Sequence, residues 1–195
     1  IAQITLRQNK ERMQDNIASK IKNNSSVLVH GLNQEITNAL LQSVQQGKKC
    51  TVLLTQSPFS ASRNDFVKKL MKNNVVVEWF SSAAARQALK NADLVILCAD
   101  AVTPEKVVSE MGGELFAELA AKRGVPVFAV ASSYMFHPDV NMNSLRGNMQ
   151  AFGAKHVFEK VQPSLITGII SEKGVHSHAV FVDVVRCMQE KGLFI

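Results

Sequence analysis

None of the apolar runs in this chain reaches the ~18 residues that a membrane-spanning helix requires, so no membrane segment is expected. Cysteine is scarce. Cys50, Cys98 and Cys187 are odd in number and far apart, which argues against a disulfide framework or a zinc site and for a reducing, cytoplasmic setting. Aromatics make up only 6% of the residues, with one Trp and one Tyr, which leaves little surface for stacking bases. With no nucleic-acid-binding motif either, direct nucleic-acid binding is not expected. The net charge of +6 still admits acidic partners, although the basic residues look dispersed, with nothing denser than pairs such as Lys48-Lys49 and Lys68-Lys69. Glycine is missing where a nucleotide would need it. Gly31 stands alone after the first apolar strand, where a dinucleotide fingerprint needs three, and no P-loop Gly-Lys-Ser/Thr occurs. No cofactor is therefore expected. The chain begins at Ile1 rather than Met and shows no signal peptide, so residues before Ile1 are expected in the native protein.

What is present is a chain of 195 residues, 46% hydrophobic and 19% charged, long enough to bury a substantial core. Residues 2–22 predict a helix with Ile4, Leu6, Met13, Ile17 and Ile21 as its apolar seam. Strands are predicted at 27–30, 50–55, 75–80, 94–99 and 125–131. Helical segments lie between them, within 31–47, 60–72 and 81–89 and after Gly112-Gly113. The strands are continuous runs of Val, Ile and Leu without polar alternation, which indicates burial on both faces. The fold class is therefore α/β: a Rossmann-like, mostly parallel sheet with helices on both faces, preceded by one N-terminal helix. Past Ala131 a polar stretch predicts a long loop or an excursion with a short helix. A brief helix entered at Pro163, a strand near 166–171 and a turn at Lys173-Gly174 follow. Over 179–189 the Val and Phe content would suit a strand, while the length and the apolar positions Val180, Val184 and Cys187–Met188 favour a terminal helix.

Asp100 is the leading candidate site residue, because it lies where the strand 94–99 ends and ligands of open α/β sheets bind at that edge. Its other reading is a carboxylate that holds the following turn by accepting backbone N–H groups. His30, at the end of the first strand, either partners Asp100 or ties itself to backbone, and the second is the favoured reading. Gly112-Gly113 before a helix offer backbone N–H groups to an anion or simply allow tight packing. Glu110, expected just outside that helix start, would repel a phosphate. His176 and His178 lack a nearby carboxylate set, so no metal site is expected. Glu172 and Lys173 are expected to be solvated.

Taken in order, VLVHG, TQSP, VVVEWF–SSAAA, DLVILCADAV, MGG, LAAKRGVPVFAVASSYMF and PSLITGIISEKGV resemble the C-terminal domain of the initiation factor 2B alpha/beta/delta-subunit family. That family also includes isomerases acting on methylthioribose-1-phosphate and ribose-1,5-bisphosphate. PSLIT at 163–167 and the SEKGV turn look most like the alpha subunit. The resemblance implies a Rossmann-like C-terminal domain over 26–195, with residues 1–25 as the helix remaining from an N-terminal helical domain. It also implies a homodimer or pairing with related subunits. For the enzymes it implies a catalytic cysteine, an aspartate and phosphate-binding basic residues. Here Gly31 stands at the cysteine, Gln56 and Pro58 at the Glu and Arg of a turn, Ser109-Glu110 at an Asn-Lys pair, and Met135 at a late lysine. Asp100 alone keeps its position, as a remnant. Moving a proton between adjacent carbons takes two positioned groups plus a phosphate anchor, and one carboxylate does not supply them. The implied function is a non-catalytic regulatory subunit of the initiation factor 2B exchange complex, partnering its other subunits and sensing phosphorylated initiation factor 2. The alternative is a sugar-phosphate isomerase-like protein relying on His30, Ser57, Asp100 and Lys106. In either case His30, Gly31, Ser57, Asp100, Gly112 and Gly113 would line the pocket.

Overall fold

Strands made of unbroken Val, Ile and Leu have no polar face to give to water, so helices must cover both sides of their sheet. The computed structural model, which describes residues 2–56, 63–138 and 158–192, has this arrangement. The elements run α1 (Ala2–Lys20), β1 (Ser25–His30), α2 (Gln34–Gln45), β2 (Cys50–Thr55), α3 (Asn64–Lys72), β3 (Val76–Phe80), α4 (Ala85–Lys90), β4 (Leu94–Val102) and β5 (Val107–Glu110). They continue with α5 (Gly113–Ala121), β6 (Val127–Val130), β7 (Phe158–Val161), β8 (Gly168–Ser171), β9 (Gly174–His176) and α6 (His178–Glu190). Short 3-10 turns lie at Ser82–Ala84, Ser133–Met135 and Pro163–Leu165.

The main sheet has the order β3-β2-β1-β4-β6-β8-β9. All its neighbours are parallel except the β8–β9 hairpin. Helices α1, α2 and α3 pack on one face through Met13, Ile17, Ile36, Leu40, Val67 and Leu70. Helices α4 and α5 pack on the other through Ala88, Leu89, Phe116 and Ala120. Asn33 caps the start of α2, its side-chain oxygen accepting from the Ile36 N–H at 2.9 Å.

Several expectations are corrected. Strand β4 does not stop near Ala99 but runs on to Val102. There it pairs antiparallel with β5, and β5 pairs antiparallel with β7. This side ladder was not legible because VVSE and FEKV are each four residues long and take their pairing from partners distant in sequence. In α6 the buried residues are Phe181, Val182 and Val185 rather than Val180, Val184 and Cys187–Met188. The helix lies at the end of the sheet, against β8 and β9, where its bulkiest side chain, Phe181, takes the buried position. Leu6 is 48% exposed rather than part of the α1 seam. Cys50 and Cys98 are buried in strands, Cys187 is exposed, and all three are free thiols. Among the described residues no helix is long and apolar enough to cross a membrane. Ser57, Pro58 and most of the predicted polar excursion (139–157) lie outside the described residues.

Candidate functional site

The carboxyl ends of β1, β2 and β4 converge on one point, and His30 sits at its centre, fully buried. Its Nε2–H donates to the Glu110 carbonyl at 3.1 Å, and its Nδ1 accepts from the Thr55 hydroxyl at 2.7 Å. The ring also lies 5.2 Å from that of Phe116. Burial lowers its pKa, which keeps the imidazole neutral in this tautomer. With both nitrogens engaged, His30 is tied to backbone and hydroxyl rather than to Asp100.

Gly31 follows in a left-handed conformation, φ +78°, and a Cβ there would stand 2.7 Å from the Cβ of Cys98. Cys98 on β4 therefore fills the space a side chain at 31 would need. Burial, reinforced by Asp100 and Glu110, pushes its thiol pKa up, so it stays protonated. The Asn33 side-chain amide donates to its sulfur at 3.4 Å.

Asp100 is placed differently from the expectation. It is not at a strand end but at a register shift between Ala99 and Ala101, where β4 changes partner from the parallel sheet to β5. Such bulges re-aim a side chain out of the regular alternation. Its Oδ2 is buried and has no hydrogen-bond partner among the described residues. Burial, with the Glu110 carboxylate adding repulsion and Arg63 opposing it, raises its pKa to about 7.

Glu110 is also corrected. It ends strand β5, is only 2% exposed, and forms a two-pronged ion pair with Arg63. One prong, Nη1 to Oε2, measures 2.9 Å, and the second joins Nη2 to Oε1. The cation missing beside Asp100 in the sequence reading is thus supplied from the start of α3. Sequence reasoning overlooked Arg63, and the available signal was an arginine directly after the turn that leaves β2.

The amino end of α5 is occupied too. The N–H groups of Gly112 and Glu114 donate to Oε1 of Glu159, at 2.9 and 2.6 Å. A helix amino terminus attracts anions through its unpaired N–H groups and dipole. Here the anion is the protein's own carboxylate, presented by β7. The glycines are needed for close approach: Gly112 has φ +105°, and a Cβ on Gly113 would meet Ser109 Oγ at 2.2 Å. Glu159 was missed because β7 was not read as a strand.

The remaining residues lie elsewhere. The backbone N–H of Lys106 in the β4–β5 turn donates to Thr103 Oγ1 at 3.0 Å. Glu172 is 4% exposed, not solvated; it accepts from the Ser133 N–H at 3.2 Å and from the Ser133 hydroxyl, with Lys173 Nζ at 3.8 Å. Beside it a cavity of about 120 Å³ opens under α1, lined by Met13, Tyr134 and Met135 among others. The Nε2 atoms of His176 and His178 lie at 3.0 and 2.9 Å from the Lys173 and Thr103 carbonyls. No cluster of three or more His, Cys, Asp or Glu poised for a metal occurs among the described residues.

A Rossmann-like sheet carrying an aspartate on β4 is what the sequence resemblance implied, and comparison with known proteins decides the kinship. The profile described as Initiation factor 2 subunit family matches residues 2–178. The chain belongs to this family. Among curated members, the ribose 1,5-bisphosphate isomerase of Pyrococcus furiosus is 24% identical over 195 residues, covering 90% of this chain and 60% of that protein. This family member thus spans about three-fifths of that relative's length. The translation initiation factor eIF-2B of Pyrococcus horikoshii OT3 superposes with a TM-score of 0.77 at 20% identity, over 89% of this chain and 66% of that one. A chain of the tetrameric eIF2B beta2-delta2 complex from C. thermophilum gives 0.76 at 17%, over 93% and 60%. These likenesses establish the α/β fold with its leading helix. The family holds both isomerases and initiation-factor subunits, so the choice between them rests on the site.

Proposed function

We propose that this chain is the C-terminal part of a non-catalytic, alpha-like regulatory subunit of the initiation factor 2B exchange complex. One observation carries the reading: the places where a phosphorylated substrate would be held are filled by the protein's own carboxylates. Glu159 occupies the amino end of α5, and Glu110 engages Arg63. A sugar phosphate would have to displace Glu159, which is half-buried, or share its N–H groups with it, at a cost in repulsion between like charges. In this reading α1 is the last helix of a helical N-terminal domain. The chain then acts in the cytoplasm by pairing with itself or with related subunits, as the beta2-delta2 neighbour suggests, and by sensing phosphorylated initiation factor 2. The outward side of α6, with Val180 at 46% exposure and Cys187 exposed, supplies apolar surface for such pairing.

A second reading has its own observation. Asp100, half-buried with a buried Oδ2 that has no partner among the described residues, has its pKa raised to about 7, which suits a general acid–base in an isomerase. Two measurements separate the readings. Calorimetry and turnover assays with ribose-1,5-bisphosphate and methylthioribose-1-phosphate should give neither heat nor product, while sedimentation with the beta and delta subunits should give a stable complex. Turnover of either sugar phosphate that is lost in Asp100→Asn would overturn the regulatory reading. In Glu159→Gln, which removes the resident anion, inorganic phosphate should raise the melting temperature more than it does in the unaltered chain.

A further inference from the structure

Strand β3 ends the main sheet, and among the described residues nothing pairs with its outer edge. Such edges are usually blunted by Lys, Pro, a bulge or a covering segment, because their free N–H and C=O groups recruit other strands. Here VVEWF carries no Lys or Pro and a single exposed charge, Glu78, pairs with β2 in unbroken register, and leaves Val76 57% and Trp79 41% exposed. The Gln56 N–H donates to the Phe80 carbonyl, so the backbone of Phe80 faces β2. By the alternation of a parallel ladder, the N–H and C=O groups of Val77 and Trp79 point outward. Met71 on α3, the helix packed against β3, is 59% exposed and extends the apolar strip.

The charge around this edge is one-sided. Residues 48–90 hold eight Lys and Arg against two Asp and Glu, which is the whole +6 of the chain; the rest balances at fourteen of each sign. The positive excess is thus concentrated, contrary to the dispersed pattern read from the sequence. Exposed Lys68 and Lys72 lie on α3, which packs against β3, with Lys68 3.5 Å from the exposed Asp65, whereas Lys69 turns away to Asn38 of α2; exposed Arg86 and Lys90 lie on α4. Lys48 and Lys49 share with Val76 an open groove of about 520 Å³ at the strand's start.

From this geometry we infer that the β3 edge is a docking strip for an extended acidic segment of another protein, which adds as a further strand. Its backbone bonds to Val77 and Trp79, its apolar side chains cover Val76, Trp79 and Met71, and its carboxylates face the lysines. A second copy of this chain is disfavoured, since it would bring two such cationic edges together. Nucleic acid is disfavoured because Trp79 is the chain's single tryptophan and the strip offers strand pairing rather than a stacking platform.

The test uses the full chain and a fluorescein-labelled peptide of about twelve residues built from Glu-Val-Glu-Thr repeats, with a Lys-for-Glu twin and a single-stranded RNA as comparison probes. Anisotropy should show binding of the acidic peptide that weakens at least about tenfold from about 50 to about 500 mM salt. It should weaken by a similar factor in Lys68→Glu/Lys72→Glu, whose two positions are exposed. Trp79 emission should shift to the blue, and the Val77 and Trp79 amides should gain protection from hydrogen exchange. The proposal is overturned by absent binding, equal binding of the Lys twin or the RNA, or binding without protection of those amides. Protection of the same amides by self-association, with no peptide present, would assign the edge to a second copy instead.

Discussion

Replacing Asp100 by Asn should make the protein more stable at alkaline pH and leave it nearly unchanged at acid pH. The reason is in the burial. An aspartate ordinarily titrates at 3.8, and in the fold Asp100 titrates near 7, chiefly because the charged form is desolvated and secondly because Glu110 repels it. Below pH 3.8 the acid is protonated both folded and unfolded, so it contributes no pH dependence. Between 3.8 and 7 the folded chain holds a proton that the unfolded chain releases, so stability falls as pH rises. Above 7 both forms are ionised and the full deficit remains. At about 1.36 kcal/mol for each pH unit between the two values, the deficit comes to about 4 kcal/mol. Asparagine has the shape of the protonated acid and no charge, so it escapes this penalty. Urea unfolding of both chains from about pH 4 to about pH 8.5 should give a stability difference near zero at the acid end. It should climb through the window and level off at about 4 kcal/mol in favour of the Asp100→Asn variant at the alkaline end. A difference that stays flat across the range would refute the placement of Asp100 as a carboxyl whose charged form is desolvated in the fold.

Two further substitutions probe the neighbouring contacts by the same unfolding assay. Arg63→Met should cost about 3–5 kcal/mol by leaving Glu110 charged and buried without its cation, and adding Glu110→Gln should recover most of that loss; equal damage in the single and double variants would contradict the pairing. Gly31→Ala should cost about 2–4 kcal/mol, from the left-handed backbone and the collision with Cys98, and a Cys98→Gly background should relieve part of it.

Much of the architecture was legible because it follows from local pattern. The Val/Ile/Leu runs of β1, β2, β4 and β6 are buried on both faces wherever they are placed, and the glycine pair before α5 marks a helix start within a residue or two. The site was legible only as positions. Asp100, Gly31 and the Gly112-Gly113 pair could be marked, but what surrounds them arrives from far along the chain. Arg63 reaches Glu110 across 47 residues, and Glu159 reaches the α5 amino end across a similar span. Glu110 read as a repelling charge because its cation was not local.

The sequence by itself determined the periodicities, and with them an α/β sheet wrapped by helices. Only the tertiary structure decided where charge resides. Folding put Asp100 on a bulge with its Oδ2 buried, Glu159 on a helix terminus and β3 at an edge that is unpaired among the described residues. Hydrophobic pattern is a property of neighbours in the chain, whereas the field at a buried carboxylate is set by groups that only folding brings within a few ångströms.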